Sequence, residues 1–173
     1  MSNFSKNDKM SKGKIFFRYG LLILVCLVIF WFSSNNGTDS TSQSSRVVNF
    51  LSRIFFPDLE YVDAQRQLAI TDMLTVLVRK GAHFTIYTLL GGLSFCAFFQ
   101  IRKMGLRYFF AVLFTFLYAC GDEIHQTFVS DRTGKFSDVI IDTIGGALGS
   151  VIVLLIVTFI AARKIIKEYG RSS

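Results

Sequence analysis

Four apolar segments constrain the fold of this chain more than any other feature, because each is long or nearly long enough to cross a lipid bilayer. They comprise residues 15–32, about 82–100, 108–120 and about 139–162. A helix over 15–32 extends about 27 Å, whereas the third segment must continue as a helix into residues 121–128 or thin the bilayer. Since backbone polar groups in lipid need partners within the chain, we expect an all-α integral membrane protein with four transmembrane helices.

The composition agrees with a membrane protein. The 173 residues are 51% hydrophobic, include 19 Phe and have a positive mean hydropathy, which is too apolar for an ordinary soluble domain. The three cysteines, Cys26, Cys96 and Cys120, lie in or beside apolar runs, without a CxxC pair or histidines at zinc-site spacing. We therefore expect neither a disulfide framework nor a zinc site.

The formal net charge of +7 is distributed unevenly along the chain. With four spans, one side of the membrane holds residues 1–18, 101–107 and 163–173, which carry 12 of the 19 Lys and Arg residues and few acidic ones. The positive-inside rule then predicts a multi-pass plasma-membrane protein with both termini in the cytoplasm. Topology accounts for the positive charge, and we expect no nucleic-acid partner.

These segments also predict the organisation of the chain. It consists of a basic cytoplasmic N-terminus (1–14), a first transmembrane helix (15–32), an extracytoplasmic loop (33–75), a helical core with three transmembrane helices (76–162) and a basic cytoplasmic C-terminus (163–173). The first helix has some features of a signal peptide. No A-x-A-like cleavage site follows it, which favours an uncleaved helix.

The extracytoplasmic loop contains a candidate amphipathic helix. Residues 33–45 are rich in Ser, Asn, Gly and Thr and are predicted to be flexible, and residues 63–78 to be helical. Between them, apolar residues recur at the spacing of one helical face, namely Val47, Phe50, Leu51, Ile54 and Phe55. Such a helix either lies in the membrane interface or packs on the protein's own surface, and the sequence leaves both alternatives open.

Two polar clusters adjoin the apolar segments, and ionisable groups so placed mark a functional site or a paired structural network. In the first cluster, Arg79, His83 and Tyr87 share one helical face, with Lys80 on the neighbouring stripe. The second cluster joins the third and fourth apolar segments. Its members are Asp122, Glu123, His125, Gln126, Asp131, Arg132, Asp138 and Asp142.

Glycines predict how the helices that carry these clusters pack. Asp138 and Asp142 share a helical face with Gly145 and Gly149, whose GxxxG spacing allows another helix to approach closely. Gly91 and Gly92 lie in the second apolar segment. We therefore predict that three helices converge, with cations from the second segment facing carboxylates from the other two.

Several chemistries fit the two clusters. An ion-pair network is the simplest interpretation of any single residue, and His83 is the best functional candidate because imidazole switches between donor and acceptor near neutral pH. His125 is expected to be a local partner or solvated. The carboxylates and His83 suit Mg²⁺, Mn²⁺ or Ca²⁺, but nearby cations compete for them, so we expect no metal and no cofactor. Ser130 and Ser137 lack an activating context for a nucleophilic triad.

Four motifs in order resemble one protein family. They are R-K-x-x-H-F-x-x-Y over 79–87, D-E-x-x-Q-x-F over 122–128, R-T-G over 132–134 and D-V-x-x-D-x-x-G over 138–145, followed by Gly149. Their combination is similar to the VanZ-like family of bacterial membrane proteins over residues 70–162. The resemblance implies a four-helix membrane protein associated with low-level resistance to teicoplanin and related lipoglycopeptides, without implying a defined catalytic activity.

We expect a non-catalytic protein that binds a glycopeptide antibiotic or a lipid-linked cell-wall intermediate at the outer membrane face, where cations hold phosphate or carboxylate. The ligand-binding residues expected are Arg79, Lys80, His83, Tyr87, Asp122, Glu123, Gln126, Arg132, Asp138 and Asp142. The alternative is a membrane enzyme that modifies a lipid head group or cell-envelope glycan through its His, Asp and Glu side chains. A small transporter fits four spans only as a homo-oligomer, which the sequence leaves open.

Overall fold

The structure, a computed structural model, describes residues 11–35, 37–130 and 133–170, and that part of the chain contains helices and no β-strand. The helices are α1 (Lys12–Ser34), α2 (Gly37–Phe55), α3 (Ala64–Ala97), α4 (Met104–Gln126) and α5 (Phe136–Tyr169). A single 3-10 turn, Leu59–Tyr61, joins α2 to α3. The all-α fold class is confirmed.

Among the described residues, three helices, α1, α4 and α5, are long and apolar enough to cross a membrane. Large apolar side chains on their outer surfaces are exposed, as in Leu27 (60%), Leu117 (58%) and Leu155 (63%), so these helices present apolar surfaces to the bilayer. The protein is therefore a membrane protein. α3 is long enough to span but does not reach the same hydropathy, because polar residues such as Arg79 and Lys80 interrupt its apolar sequence.

The helices extend beyond the apolar segments that predict them. α4 continues to Gln126, which is one of the two ways in which a short third segment was expected to cross. α3 joins the predicted helix over residues 63–78 to the second apolar segment in one helix. Its first turn is capped by Asp63, whose carboxylate accepts a hydrogen bond from the Arg66 backbone N–H at 3.0 Å, and Gly81 does not interrupt it.

α2 begins at Gly37, so the prediction of a flexible loop over residues 33–45 is wrong from that residue onward. A composition rich in Ser and Thr predicts local structure only weakly, because tertiary contacts can override local propensity. α2 packs against the first half of α3, where Val48 is buried and Leu51 shares an apolar groove with Leu74 and Leu77. The position of α2 in the membrane interface stays a prediction.

Contacts between helix termini define two ends of the bundle. One end, called the site end, carries the described members of the two polar clusters. There α1 and α4 end, α5 begins, and Gln126 Nε2 donates a hydrogen bond to the Ser33 hydroxyl. At the opposite end, called the basic end, the guanidinium group of Arg18 in α1 donates a hydrogen bond to the Cys96 carbonyl at 3.1 Å. There Arg107 of α4 donates to the Phe95 carbonyl and stacks on that residue's ring. The two guanidinium groups thus satisfy carbonyls that the end of α3 leaves without helical partners.

Glycines bring α3 and α5 into backbone contact, as the GxxxG spacing predicts. A Cβ atom on Gly149 would collide with the Thr88 carbonyl, and one on Gly91 would collide with the Gly146 backbone. The Ser150 hydroxyl donates to the Gly91 carbonyl at 3.0 Å in the same region. This close packing fixes the register in which the polar face of α3 meets the aspartates of α5.

Candidate functional site

A cavity of about 180 Å³ opens at the site end, between α3, α4, α5 and the segment that precedes α5. It lies where the polar interruption of α3 meets the first two turns of α5. The lining residues are Val76, Arg79, Lys80, His83, Glu123, Gln126, Thr133, Lys135, Asp138, Ile141 and Asp142. Polar side chains therefore dominate a cavity within an otherwise apolar bundle.

An ion pair joins the two helices at the mouth of the cavity. Lys80 Nζ lies 2.8 Å from Asp138 Oδ1, and the two side chains are 40% and 31% exposed. The Ser137 hydroxyl donates to the same Asp138 oxygen at 3.2 Å. Partial exposure to solvent screens this pair, so its main structural effect is to hold Lys80 and Asp138 at the same level.

The other two cations that line the cavity, Arg79 and Lys135, have no acidic partner among the described residues. Within the described part of the chain, neither the Arg79 guanidinium nor the Lys135 ammonium forms a hydrogen bond or ion pair. Arg79 is carried by α3 and Lys135 by the segment that precedes α5. The Arg79 side chain is partly buried, whereas Lys135 is exposed.

Glu123 is held by the segment that precedes α5. Its Oε2 atom accepts a hydrogen bond from the Lys135 backbone N–H at 2.7 Å. Gly134 makes this fold possible, because a Cβ atom there would lie 2.7 Å from the Glu123 carbonyl. The segment thus closes over the end of α4 and carries Lys135 to the cavity.

Asp142 is the most buried carboxylate of the cavity, with a side chain that is 1% exposed. The Nδ1 atom of His83 lies 3.7 Å from the Oδ2 atom of Asp142, which is longer than a hydrogen bond. Among the described residues, neither Asp142 oxygen has a hydrogen-bond partner. The cavity therefore contains an acceptor with unused capacity.

Asp122 and Tyr87 form a second layer behind the cavity. The buried Tyr87 hydroxyl and Gln126 Nε2 each donate to Asp122 Oδ2 at 3.1 Å. Gln126 also reaches Ser33 of α1 at 3.4 Å, and the Tyr87 ring stacks near His83 with centroids 6.4 Å apart. This network connects α1, α3 and α4 and orients the cavity-lining Gln126.

The structure brings together most of the residues predicted from the sequence. Those that line the cavity are Arg79, Lys80, His83, Glu123, Gln126, Asp138 and Asp142. Tyr87 and Asp122 lie one layer behind it, and Arg132, like Asp131, lies outside the described residues. His125 faces α1 instead, where it stacks on Phe30 and lies 3.1 Å from the Ser34 hydroxyl.

Sequence reasoning missed Lys135 and Ser33. Each is a single polar residue at the edge of a helix, so no helical spacing connects it with the clusters. Only the presence of a cation close to the second cluster could have indicated Lys135.

Two of the three carboxylates that line the cavity have partners within the protein. Across the described ranges, no group of three or more His, Cys, Asp or Glu side chains is arranged to hold a metal ion. Lys80 forms an ion pair with Asp138, and the Lys135 backbone N–H donates a hydrogen bond to Glu123. The charged lining groups without a hydrogen-bond partner among the described residues are the side chains of Arg79 and Lys135 and the buried carboxylate of Asp142.

Comparison with known proteins identifies one family. A family model described as VanZ/LLP1 matches residues 18–158, a region that includes the cavity and parts of all five helices. No curated protein and no solved structure matches the chain significantly.

Proposed function

Because the chain belongs to the VanZ/LLP1 family, we propose that its cavity binds the anionic head group of a lipid-linked cell-wall intermediate at the outer membrane face. By this binding the protein confers low-level resistance to teicoplanin and related lipoglycopeptides. The observation that carries the proposal is the pair of cations, Arg79 and Lys135, that line the cavity without acidic partners among the described residues. Phosphate and pyrophosphate groups match such a pair.

The size of the cavity favours a head group over a whole glycopeptide antibiotic, which is the other ligand expected from the sequence. Pockets for drug-sized molecules measure roughly 300–1,000 Å³, whereas this cavity measures about 180 Å³. One or two phosphate groups or one small polar fragment fit that volume. A glycopeptide antibiotic could place only a side group in it.

The proposal includes four membrane spans, with α3 as the fourth spanning helix. α3 lies beside α1, and its Cys96 carbonyl meets Arg18 at the basic end. Tyr87, on the same helix, reaches the network that includes Ser33 near the site end. An α3 packed this way crosses as much of the bilayer as α1 does. With the basic end in the cytoplasm, the cavity opens outside.

α2 contributes an interfacial contact in this proposal. Val47, Phe50 and Ile54 form an exposed apolar stripe on the side that does not pack against α3. Arg46 and Arg53 are seven residues apart and lie beside that stripe on the helix. An apolar stripe flanked by cations suits the boundary between acyl chains and anionic head groups.

Antibiotic susceptibility of a host that expresses the protein tests this function. We expect wild type to raise the inhibitory concentration of teicoplanin, and Arg79→Gln and Lys135→Gln each to remove most of that protection by weakening anion binding. Lys164→Gln, which removes an exposed positive charge at the basic end, is the matched control and should protect like wild type. Immunoblotting of membranes must show equal abundance of all proteins.

Two results would contradict the proposal. One is full protection by the abundant Arg79→Gln and Lys135→Gln variants, since the cations would then be irrelevant to function. The other is a wild-type protein that is abundant in the membrane and gives no protection.

A membrane enzyme is the second candidate, and the contact between His83 and Asp142 favours it. A buried carboxylate 3.7 Å from the imidazole would orient His83 as a general base towards a lipid head group or glycan. Catalysis predicts that His83→Ala abolishes turnover while pyrophosphate binding is retained. Binding without catalysis predicts only a graded loss of affinity.

A further inference from the structure

Asp142 is the one cavity carboxylate without a donor in the described part of the chain. Glu123 accepts from the Lys135 backbone N–H, and Asp138 accepts from Lys80 and Ser137. Both oxygens of Asp142 are buried and have no hydrogen-bond partner. Native proteins rarely leave a buried acceptor unpaired, so a donor from outside the chain fits this position.

The contact with His83 does not supply that donor. At 3.7 Å, His83 Nδ1 is an electrostatic neighbour of Asp142 Oδ2 and lies beyond hydrogen-bond distance. A ligand that fills the space beside Asp142 must therefore itself donate hydrogen bonds to these oxygens.

The cations that would bind an anion and the carboxylate that would accept from a donor lie at different depths along the bundle. Lys80 and Asp138 lie at the same level because they form an ion pair, and Arg79 adjoins Lys80 in sequence. Asp142 follows Asp138 by four residues on α5, which places it about 6 Å further from the site end. The cations therefore lie near the mouth and the unpaired carboxylate lies deeper.

We propose that the cavity binds a zwitterionic aminoalkyl phosphate, with its phosphate at Arg79 and Lys135 and its primary ammonium at Asp142. A primary ammonium has three donors for the two unused oxygens, whereas a quaternary ammonium has none. The amine enters first, and the phosphate remains at the mouth. This inference rests on the proposed anion site at Arg79 and Lys135, and it names a second class of ligand for that site, distinct from the head group of a cell-wall intermediate.

Binding of small phosphate esters to the purified full-length protein in detergent tests the inference. The probes for calorimetric titration are O-phosphoethanolamine, O-phosphocholine and glycerol 1-phosphate. We expect wild type to bind O-phosphoethanolamine at least about tenfold more tightly than either other probe, a difference of roughly 1.4 kcal/mol. This comparison uses only the wild-type protein, so it does not depend on whether a variant folds.

Asp142→Asn removes the charge while keeping the shape of the side chain. We expect this variant to bind all three probes with affinities within about threefold of one another, and to bind glycerol 1-phosphate at least as tightly as wild type because a buried negative charge has been removed. Arg79→Gln should weaken all three. Unfolding midpoints of both variants are measured in parallel, and an Asp142→Asn midpoint at or above that of wild type shows that Asp142 is not required for folding.

The outcomes separate this inference from the proposed function. If wild type binds glycerol 1-phosphate as tightly as O-phosphoethanolamine, or if Asp142→Asn keeps the preference, the ammonium subsite is overturned and the anion site stands. If none of the probes binds, the anion site and the inference both fail. If the amine preference is present but susceptibility to teicoplanin is unchanged, the inference stands and the proposed function fails.

The ligand can reach the cavity from two sources. Competition by phosphatidylethanolamine, but not phosphatidylglycerol, in lipid nanodiscs would identify the head group of a bilayer lipid. Competition by the free phosphate ester alone would identify a soluble molecule.

Discussion

At the scale of residues, the Asp122 carboxylate is the centre of the network behind the cavity. It is buried and accepts hydrogen bonds from Tyr87 and Gln126 at 3.1 Å each. Tyr87→Phe removes one donor from a buried carboxyl acceptor, which we expect to destabilise the protein by about 1–3 kcal/mol. The change in the free energy of unfolding is measured by titrating the protein with a denaturing detergent while circular dichroism monitors its helical content.

Tyr118→Phe is the matched control for that substitution. The Tyr118 hydroxyl donates to the neutral Cys26 carbonyl at 2.6 Å, and a hydrogen bond of this kind in a membrane protein contributes about 0.6 kcal/mol. Equal destabilisation by the two variants would show that the hydrogen bond to Asp122 contributes no more than one to a backbone carbonyl. A larger effect for Tyr87→Phe supports the network.

The sequence indicated which residues share the cavity because residues one helical turn apart lie on the same face of a helix. Arg79 and His83 lie one turn apart on α3, as Asp138 and Asp142 do on α5, so each pair could be placed on a face before the helices were packed. His125 shows the limit of this reasoning. It lies next to cavity residues in the chain, yet it faces Phe30 of α1, and only the packing of α1 determines that direction.

At the scale of elements, the contact between α3 and α5 depends on glycines. Gly149→Ala places a methyl group against the Thr88 carbonyl, and such overpacking is expected to cost about 1–3 kcal/mol. Gly121→Ala in α4 is the matched control, because a Cβ atom there meets nothing within 4 Å. Since alanine favours a helix over glycine, this control should stabilise the protein by about 0.5–1 kcal/mol.

Thermal unfolding in detergent distinguishes the two substitutions by the sign of the change in midpoint. A Gly149→Ala variant as stable as wild type would mean that α3 and α5 separate easily. The position of the aspartates relative to Arg79 and Lys80 would then not be fixed by the glycines.

Apolar length predicted the existence of the helices better than their ends. The sequence located α1, α4 and α5 because each contains a long apolar run, but every one of them continues into polar residues that satisfy the helical backbone equally well. α2 was partly missed because its first residues, from Gly37, lack apolar periodicity. α3 contains charged residues at the cavity, and those residues keep its hydropathy below that of α1, α4 and α5.

At the scale of the whole molecule, the two ends differ in charge and in what they bind. Arg18 and Arg107 at the basic end hold carbonyls of α3, whereas at the site end two cations have no partner among the described residues. Both features depend on α3 running antiparallel to α1 and α4. The number of spans and the side on which the cavity opens are therefore linked.

Cysteine labelling in intact cells tests this topology. In a background without Cys26, Cys96 and Cys120, we expect a membrane-impermeant maleimide to label Asp58→Cys and Ser130→Cys without permeabilisation. Lys103→Cys should react only after permeabilisation. All three positions are exposed in the structure, so a difference in labelling reports the side of the membrane.

The alternative, in which α3 does not cross, makes the opposite prediction for two of these positions. With the N-terminus in the cytoplasm, Asp58→Cys would still be labelled from outside, because α1 alone determines its side. Lys103→Cys would also be labelled from outside, and Ser130→Cys would be protected, because α4 would then cross in the reverse direction. That result would place the cavity on the cytoplasmic side and exclude a ligand that approaches from the cell wall.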